Sequence, residues 1–178
     1  MPVFLLYPLL IGVGLYFMPP RYLALLLALS LLLRHARYAK SFLSGLAGIH
    51  YAILGTLLVF SGAIVLSDSE TLLRFYPAVI NGGMLLLFSS SLLRPPSMIE
   101  RFARITEPDL PPQGVIYTRK VTWLWCAFFI LNGSIAAWSA LFASREVWAI
   151  YNGGVAYLLM GALFAGEWLF RRHVRSSH

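Results

Sequence analysis

Six stretches without a charged side chain follow one another along the chain, separated by short polar or basic segments. They are residues 3–18, 22–33, 41–67, 75–93, 121–144 and 147–166. A membrane-spanning helix needs about 20 mostly apolar residues, because the hydrocarbon core is about 30 Å thick and each helical residue rises about 1.5 Å. The pattern predicts an all-α polytopic membrane bundle of six transmembrane helices, the second from Pro20 to about Tyr38. Five is the alternative, if residues 3–18 only dip into the membrane.

The composition agrees with a membrane protein. The 178 residues are 59% hydrophobic and 12% charged, and the mean hydropathy is +0.74. An average soluble protein carries about 25% charged residues, so this chain has too few polar side chains to cover a water-facing surface. A soluble globular domain is therefore excluded, and we expect a single integral membrane domain over residues 1–178. The one cysteine, Cys126, lies in a predicted span, which excludes an intrachain disulfide.

The basic residues predict the orientation. Eleven of the 14 Lys and Arg residues fall in three segments, 34–40, 94–120 and 171–175. The other three fall one each in the alternate loops, as Arg21, Arg74 and Arg145. Cytoplasmic loops carry the excess of Lys and Arg, so both termini and residues 94–120 are predicted to be cytoplasmic. The net charge of +7 then faces anionic headgroups. Because no recognition motif accompanies this charge, we expect no nucleic-acid partner.

A weak internal repeat appears when the sequence is aligned with itself at an offset of 71 residues. Residues 74–83 then match residues 145–154, with identical Arg, Ala, Asn, Gly and Gly. This divides the chain into an N-terminal helical hairpin (1–40), a first repeat hairpin (41–94), a loop (95–120), a second repeat hairpin (121–170) and a basic tail (171–178). Parallel repeats occur in some transporters, with binding sites between the halves. Duplication also builds inert bundles, and that alternative stays open.

Few polar side chains lie inside the predicted spans. Asn81, Asn132 and Asn152 are each followed by glycine, and His50 is the one histidine within a span. An unsatisfied amide in hydrocarbon costs several kcal/mol, so the asparagines should bond across helix interfaces rather than face lipid. These four residues form the candidate polar intramembrane site, with interhelical bonding beside small residues as the alternative. No catalytic set, cofactor site or metal site is predicted, although Glu167 is a second ionisable residue within a span.

The segment from Arg94 to Lys120 is the longest polar connection. Ser97 and Glu100 match a capping box, which predicts a short helix over 97–106 that lies in the membrane interface because it has an apolar and a charged face. We expect this loop to be a docking surface for a protein partner. Its candidate docking residues are Glu100, Arg101, Phe102 and Arg104.

Three stretches resemble the second half of the intracellular septation protein A family of small bacterial inner-membrane proteins. They are Arg94-Pro-Pro-Ser-Met-Ile-Glu-Arg101, Leu110-Pro-Pro112 and Trp125-Cys-Ala-Phe-Phe-Ile-Leu-Asn-Gly133. The C-terminal Asn152-Gly-Gly and Gly161-Ala-Leu-Phe-Ala-Gly-Glu-Trp168 are more similar to an uncharacterised bacterial family, whose genes often neighbour clusters for fatty-acid-like or aryl-polyene synthesis. The septation family has lysines in the two membrane segments that here carry Tyr76 and Asn152, and no catalytic residue carries over.

The resemblance implies a non-enzymatic inner-membrane protein of bacterial cell-envelope biogenesis. Three hypotheses follow. The first is a scaffold that docks a membrane or cytoplasmic partner of envelope synthesis through its cytoplasmic loop. The second is a small transporter or a lipid- or polyene-handling protein with a polar site between the hairpin repeats. The third is an intramembrane enzyme, a hypothesis that only His50 and Glu167 support. In every case the lipid bilayer is the surrounding partner.

Overall fold

The computed structural model describes residues 18–38 and 46–176, and these residues form helices and connecting turns without a β-strand. The helices are α1 (Pro20–Tyr38), α2 (Ala47–Ser67), α3 (Glu70–Arg74), α4 (Tyr76–Leu93), α5 (Met98–Thr106), α6 (Pro112–Phe142), α7 (Arg145–Ile150) and α8 (Ala156–Ser176). A π-helical segment, Tyr151–Val155, joins α7 to α8 without a break. The all-helical class predicted from hydropathy is confirmed.

Within residues 18–38 and 46–176, four helical segments are long and apolar enough to cross a membrane. They are Ala47–Ser67, Tyr76–Leu93, Pro112–Phe142 and Arg145–Glu167. Helix α1 begins at Pro20 and ends at Tyr38 as expected, but its described apolar part, Pro20–Ser30, is shorter than a span. The first predicted span, residues 3–18, lies almost wholly outside the described residues. The count of six therefore stays a prediction.

Proline marks several helix starts, because a residue without an amide hydrogen leaves no donor unsatisfied in the first turn. Pro20 begins α1, Pro112 begins α6, and Pro77 stands in the first turn of α4. Helix α2 ends at Ser67, and the capping residue Asp68 has a left-handed backbone with φ 48°. The Asp68 carboxylate accepts the Arg21 amide hydrogen at 3.0 Å, which ties the start of α1 to the end of α2.

In the described part of the chain, two hydrophobic clusters hold the bundle, one towards each end. The first joins α1 and α2 to α3, α4, α6 and α7, and includes Leu27, Ile64, Leu73, Tyr76 and Trp148. The second surrounds α5 and includes Leu46, Phe88, Leu92, Met98 and Trp125. We call these two sides the α7 end and the α5 end of the bundle. Between them α4 packs along α6.

The two copies of the Asn-Gly-Gly sequence differ in backbone structure. Asn81 lies in regular α-helix, whereas Asn152 lies in the π-helical segment, where the Ala156 amide bonds back five residues to the Tyr151 carbonyl. Arg74 ends helix α3, but its repeat counterpart Arg145 begins helix α7. A π turn inserts an extra residue into the helix, so the hairpins are not locally identical here. The parallel repeat stays a prediction.

Candidate functional site

Two of the predicted asparagines meet across the α4–α6 interface. The Asn132 Nδ2 donates to Asn81 Oδ1 at 3.1 Å. Asn132 Oδ1 in turn accepts the Tyr151 hydroxyl hydrogen at 2.9 Å, which extends the network to the π-helical segment. Gly133 makes this contact feasible, since a Cβ there would stand 3.0 Å from Asn81 Cβ. The small residue allows the two backbones to approach as close packing in membranes requires.

The third asparagine bonds to the same helix, α6, about two turns further towards its C-terminus. Asn152 Nδ2 donates to Ser139 Oγ at 3.3 Å and to the Trp148 carbonyl at 3.0 Å. Asn152 is 3% exposed, against 6% for Asn132 and 9% for Asn81. The sequence-based prediction that Asn81 and Asn152 bond across helix interfaces is confirmed. Their depth in a bilayer stays a prediction.

Backbone carbonyls fix the orientation of these amides. A carbonyl only accepts, so the Asn81 atom 2.8 Å from the Pro77 oxygen is its nitrogen. The same holds for Asn152 beside the Trp148 oxygen. Asn81 therefore offers its oxygen to Asn132, and Asn132 offers its own oxygen to Tyr151. The Pro77 carbonyl thus fixes the polarity of the Asn81–Asn132–Tyr151 network, and the Trp148 carbonyl fixes that of Asn152.

All three asparagines line one cavity of about 570 Å³, which extends from them to α5. The rest of the lining is apolar except for Tyr157, and it comes from α4, α5, α6 and α8. The other lining residues are Pro77, Ile80, Met84, Phe88, Ile99, Phe102, Trp125, Phe129, Ala156, Met160 and Phe164. Ligand cavities in proteins have volumes of about 300–1,000 Å³ and combine apolar walls with a few polar groups. The cavity lies between the two predicted repeat hairpins.

Aromatic side chains form the wall of the cavity towards the α5 end. The Trp125 and Phe164 ring centroids lie 4.5 Å apart, and the Phe88 and Phe129 centroids 5.0 Å apart. Trp125 also packs 5.7 Å from Phe129. Such pairs are each worth about 0.5–1.5 kcal/mol beyond their buried area. The aromatic side chains of this wall are therefore well packed against one another.

His50, the fourth residue of the predicted polar site, is not among the residues that line this cavity. It lies in the first turn of α2, half-buried, with its ring edge-to-face on Tyr51 at 5.8 Å. The structure thus brings together three of the four predicted residues. Glu167, the other ionisable group considered, accepts a hydrogen bond from the Tyr117 hydroxyl at 3.3 Å.

The predicted helix over 97–106 is present as α5, with the Ser97 amide donating to Glu100 Oε2 at 3.3 Å. It is fixed to the bundle because Met98 N–H bonds to Ser91 Oγ at 2.8 Å and Ile99 N–H to Thr122 Oγ1 at 3.3 Å. The helix therefore packs on α4 and α6.

The four candidate docking residues differ in exposure. Glu100 and Arg101 are buried, at 6% and 7% exposure, whereas Phe102 is half exposed and Arg104 is partly buried. Glu100 pairs with Arg104 at 2.9 Å, and Arg101 Nε donates to the Pro96 carbonyl at 2.9 Å. Burial lowers the pKa of Arg101, and the neighbouring Glu100 carboxylate partly opposes that shift. Two of the four side chains are thus buried, with bonds inside α5 and the residues just before it.

The loops at the α7 end are joined to each other. Arg74 donates to the carbonyls of Ser139, at 3.0 Å, and of Ala143, where α6 ends. Arg145 pairs with Glu70, and the Trp148 indole N–H donates to the Arg74 carbonyl at 2.9 Å. A guanidinium on the last carbonyls of a helix also meets the negative end of the helix dipole. Both repeat arginines thus connect the hairpins.

Several residues of the site were not predicted from the sequence, although the spacing along α6 contains a signal for three of them. Trp125, Phe129 and Ser139 stand seven and three residues before and seven residues after the predicted Asn132. Such spacing places side chains on one helix face. Tyr151 directly precedes Asn152 and carries no comparable signal. In the part of the chain that the structure describes, no cluster of three metal-ligating side chains occurs.

Comparison with known proteins gives named relatives. A protein of Paracidovorax citrulli named inner membrane-spanning protein YciB is 32% identical over 126 residues, 66% of this chain and 60% of that protein. The chain is a relative of the YciB proteins. YciB proteins of Acidovorax ebreus and Hydrogenovibrio crunogenus are 28% and 26% identical, over 68% and 79% of this chain and 64% of each relative. The matched chain thus spans about three fifths of the length of these YciB relatives.

These relatives bear on the sequence analysis directly. The resemblance to the intracellular septation proteins is confirmed, because the YciB proteins belong to that family. The membrane assignment is confirmed too, since the relatives are named inner membrane-spanning proteins and four helices here have the length and hydropathy of spans. No family model matches the chain. No solved structure matches it either.

Proposed function

We propose that this chain is a non-enzymatic protein of the bacterial inner membrane that binds a lipid-like molecule between its two helical hairpins. The cavity of about 570 Å³ that α4, α5, α6 and α8 line carries the proposal. It combines asparagines at one end with an apolar, largely aromatic wall along the rest. That combination suits an amphiphile, because each part of such a molecule meets a surface of its own kind.

The dimensions of the cavity support a lipid-like occupant. Along the π-helical segment and α8, lining residues recur every four positions from Asn152 to Phe164. Twelve residues at about 1.5 Å each give a length of roughly 18 Å along the helix. One leaflet of a hydrocarbon core of about 30 Å measures about 15 Å. A hydrocarbon chain of the length found in one membrane leaflet would thus fit parallel to α8.

The scaffold role remains a second candidate because α5 presents accessible apolar side chains. Ile105 is 67% exposed, and Phe102 on the same helix is 50% exposed. The predicted topology places this surface on the cytoplasmic side. It is the weaker candidate, since Glu100 and Arg101 of the docking set are buried and Phe102 also lines the cavity.

Purification from native membranes separates the two roles. Met160 lines the cavity, whereas the adjacent Leu159 is 46% exposed and does not line it. We expect about one lipid or polyene molecule per chain to co-purify with the wild type and with Leu159→Trp. Met160→Trp fills the cavity and should lose that molecule, as measured by extraction and mass spectrometry.

Two results would contradict the lipid-binding role. One is equal lipid content in both tryptophan variants, which would place the lipid on the outer surface of the bundle. The other is a stoichiometric protein partner with no bound lipid in the wild type, which would favour the scaffold. A circular dichroism spectrum and a monodisperse elution profile establish that each variant has folded.

A further inference from the structure

We infer that the cavity takes a single-chain amphiphile whose head is uncharged and both donates and accepts hydrogen bonds. The head of this molecule lies at the asparagines, and its hydrocarbon chain lies along the aromatic wall towards α5. This inference rests on the proposed lipid-binding function and names the chemical class of the ligand. It follows from the unused hydrogen-bonding capacity, the charge and the volume of the cavity.

The unused hydrogen-bonding capacity of the asparagines defines the head. Each amide has two N–H donors and one oxygen acceptor. Among the described residues, Asn81 and Asn132 each form one amide N–H bond, so each retains a donor. Asn152 forms two N–H bonds, but its Oδ1 accepts none from the described residues. The cavity wall thus offers two donors and one acceptor, which match a hydroxyl, a primary amide or a protonated carboxyl group.

The burial of these groups gives the match its energetic weight. All three asparagines are at least nine-tenths buried. A buried polar group without a partner keeps its desolvation cost, so a ligand that completes these bonds gains relative to one that cannot. A plain hydrocarbon would fill the same space and leave both donors and the acceptor unpaired.

The lining also excludes a charged head. Fifteen of the described residues form it, and none of these fifteen is Lys, Arg, His, Asp or Glu. A phosphate or an ionised carboxylate moved into such a site would lose its hydration without gaining an opposite charge. The polar end of the cavity consists of neutral amides. Glycerophospholipids with their charged headgroups are therefore disfavoured there.

The volume favours one chain over two. A water-sized group occupies about 30 Å³, so the cavity holds roughly 19 such groups. That number is close to one long acyl chain with a small head and is about half of a two-chain phospholipid. The length of roughly 18 Å along α8 agrees with one extended chain.

Tryptophan quenching tests the ligand class, because Trp125 lines the cavity beside Phe164. Four probes share one brominated long chain and differ in the head: the alkane, the primary alcohol, the carboxylic acid and the phosphocholine. They are titrated into detergent-solubilised full-length protein at controlled micelle mole fraction.

We expect half-maximal quenching by the alcohol at about a tenfold lower mole fraction than by the alkane or the phosphocholine. The acid should quench at low pH and lose affinity as pH rises through its own pKa. In Trp125→Phe this saturable quenching should disappear.

Asn152→Leu isolates the contribution of the head. It removes the free acceptor, so the alcohol should lose about tenfold in affinity while the alkane keeps its own. Alkane binding also serves as the folding control for the variant. Ser134→Leu is the matched substitution, because Ser134 is an exposed polar residue of α6 outside the cavity lining. It should leave all four titrations unchanged.

The outcomes distinguish this inference from the function on which it rests. If no probe, including the alkane, quenches Trp125 saturably, the proposed lipid-binding function is wrong. If the alkane binds but the alcohol binds no more tightly, only the head assignment is wrong. Equal or tighter binding of the phosphocholine, or of the acid at high pH, overturns the uncharged class while the lipid-binding role stands.

Discussion

Asn132 donates a hydrogen bond to Asn81 across the α4–α6 interface, over 3.1 Å and between two buried side chains. The bond connects the first predicted hairpin to the second at the polar end of the cavity. Because Asn81 is itself oriented by the Pro77 carbonyl and Asn132 by Tyr151, the contact is part of an ordered chain of donors and acceptors. It positions the amide groups that a ligand would meet.

This contact predicts a measurable coupling. Asn81→Leu and Asn132→Leu should each cost about 0.5–2 kcal/mol of unfolding free energy, and together they should cost less than their sum. The expected coupling is about 0.5–1.5 kcal/mol, the usual size for hydrogen bonds between membrane helices. Unfolding in mixed detergent micelles measures all four states of the cycle. Asn81→Leu combined with Ser134→Ala, which is exposed, is the control cycle and should be additive. Additivity in the Asn81–Asn132 cycle would contradict the contact.

Gly133 sets the distance between the same two helices. A Cβ at this position would lie 3.0 Å from Asn81 Cβ, which is closer than ordinary packing allows. We expect Gly133→Ala to destabilise the protein by about 1–3 kcal/mol through overpacking, although alanine is the better helix former. Gly161→Ala is the control, because a Cβ there meets nothing within 4 Å. That variant should be neutral or slightly stabilising in the same unfolding assay, and the opposite ranking would disprove close packing at Gly133.

Hydropathy and local capping predicted the parts of the fold that depend on sequence neighbours. The long apolar runs became α2, α4 and α6, Pro20 began α1, and Ser97 with Glu100 began α5. The cavity was not predictable in this way. Its walls form only if α4, α6 and α8 are each rotated about their axes so that the lining residues face one another. These helices are apolar on most faces, so no polar stripe in the sequence marks the inward side.

The same limit explains the docking residues. An amphipathic pattern shows that Glu100 and Arg104 lie on one side of a short helix, and the ion pair between them agrees. It does not show which side packs on the bundle. Glu100 is buried because it satisfies the Ser97 amide and Arg104 at once. The anchoring of α5 through Ser91 and Thr122 depends on side chains distant in sequence, which local patterns do not contain.

Glu100 should therefore stabilise α5 from within the helix. Glu100→Ala removes the acceptor for the Ser97 amide and for Arg104, and we expect it to cost about 1–3 kcal/mol. The loss should appear as faster amide hydrogen exchange across residues 98–106, with little change in α4 or α6. Thr106→Ala, on an exposed residue in the last turn of the same helix, is the matched control. Unchanged exchange in Glu100→Ala would mean that the tertiary contacts alone hold the helix.

The two arginines of the repeat should differ in their contributions. Arg74 is half-buried and donates to several carbonyls at the end of α6, so Arg74→Met should cost about 1.5–3 kcal/mol. Arg145 forms an exposed pair with Glu70, and such pairs are worth about 0–1 kcal/mol. Arg145→Met should therefore have the smaller effect in the unfolding assay. An equal effect of the two substitutions would contradict the capping role of Arg74.

The orientation in the membrane is the last prediction, and it rests on the distribution of eleven basic residues against three. Gln113, at the exposed start of α6, should lie in the cytoplasm, and Ser67, at the exposed end of α2, on the opposite side. In a background with Cys126→Ala, a membrane-impermeant thiol reagent applied to bacteria with a permeabilised outer membrane should label Ser67→Cys but not Gln113→Cys. Both should react once the inner membrane is opened, because both positions are exposed. Labelling of Gln113→Cys before the inner membrane is opened would reverse the topology and would place α5 and the aromatic end of the cavity on the outer side.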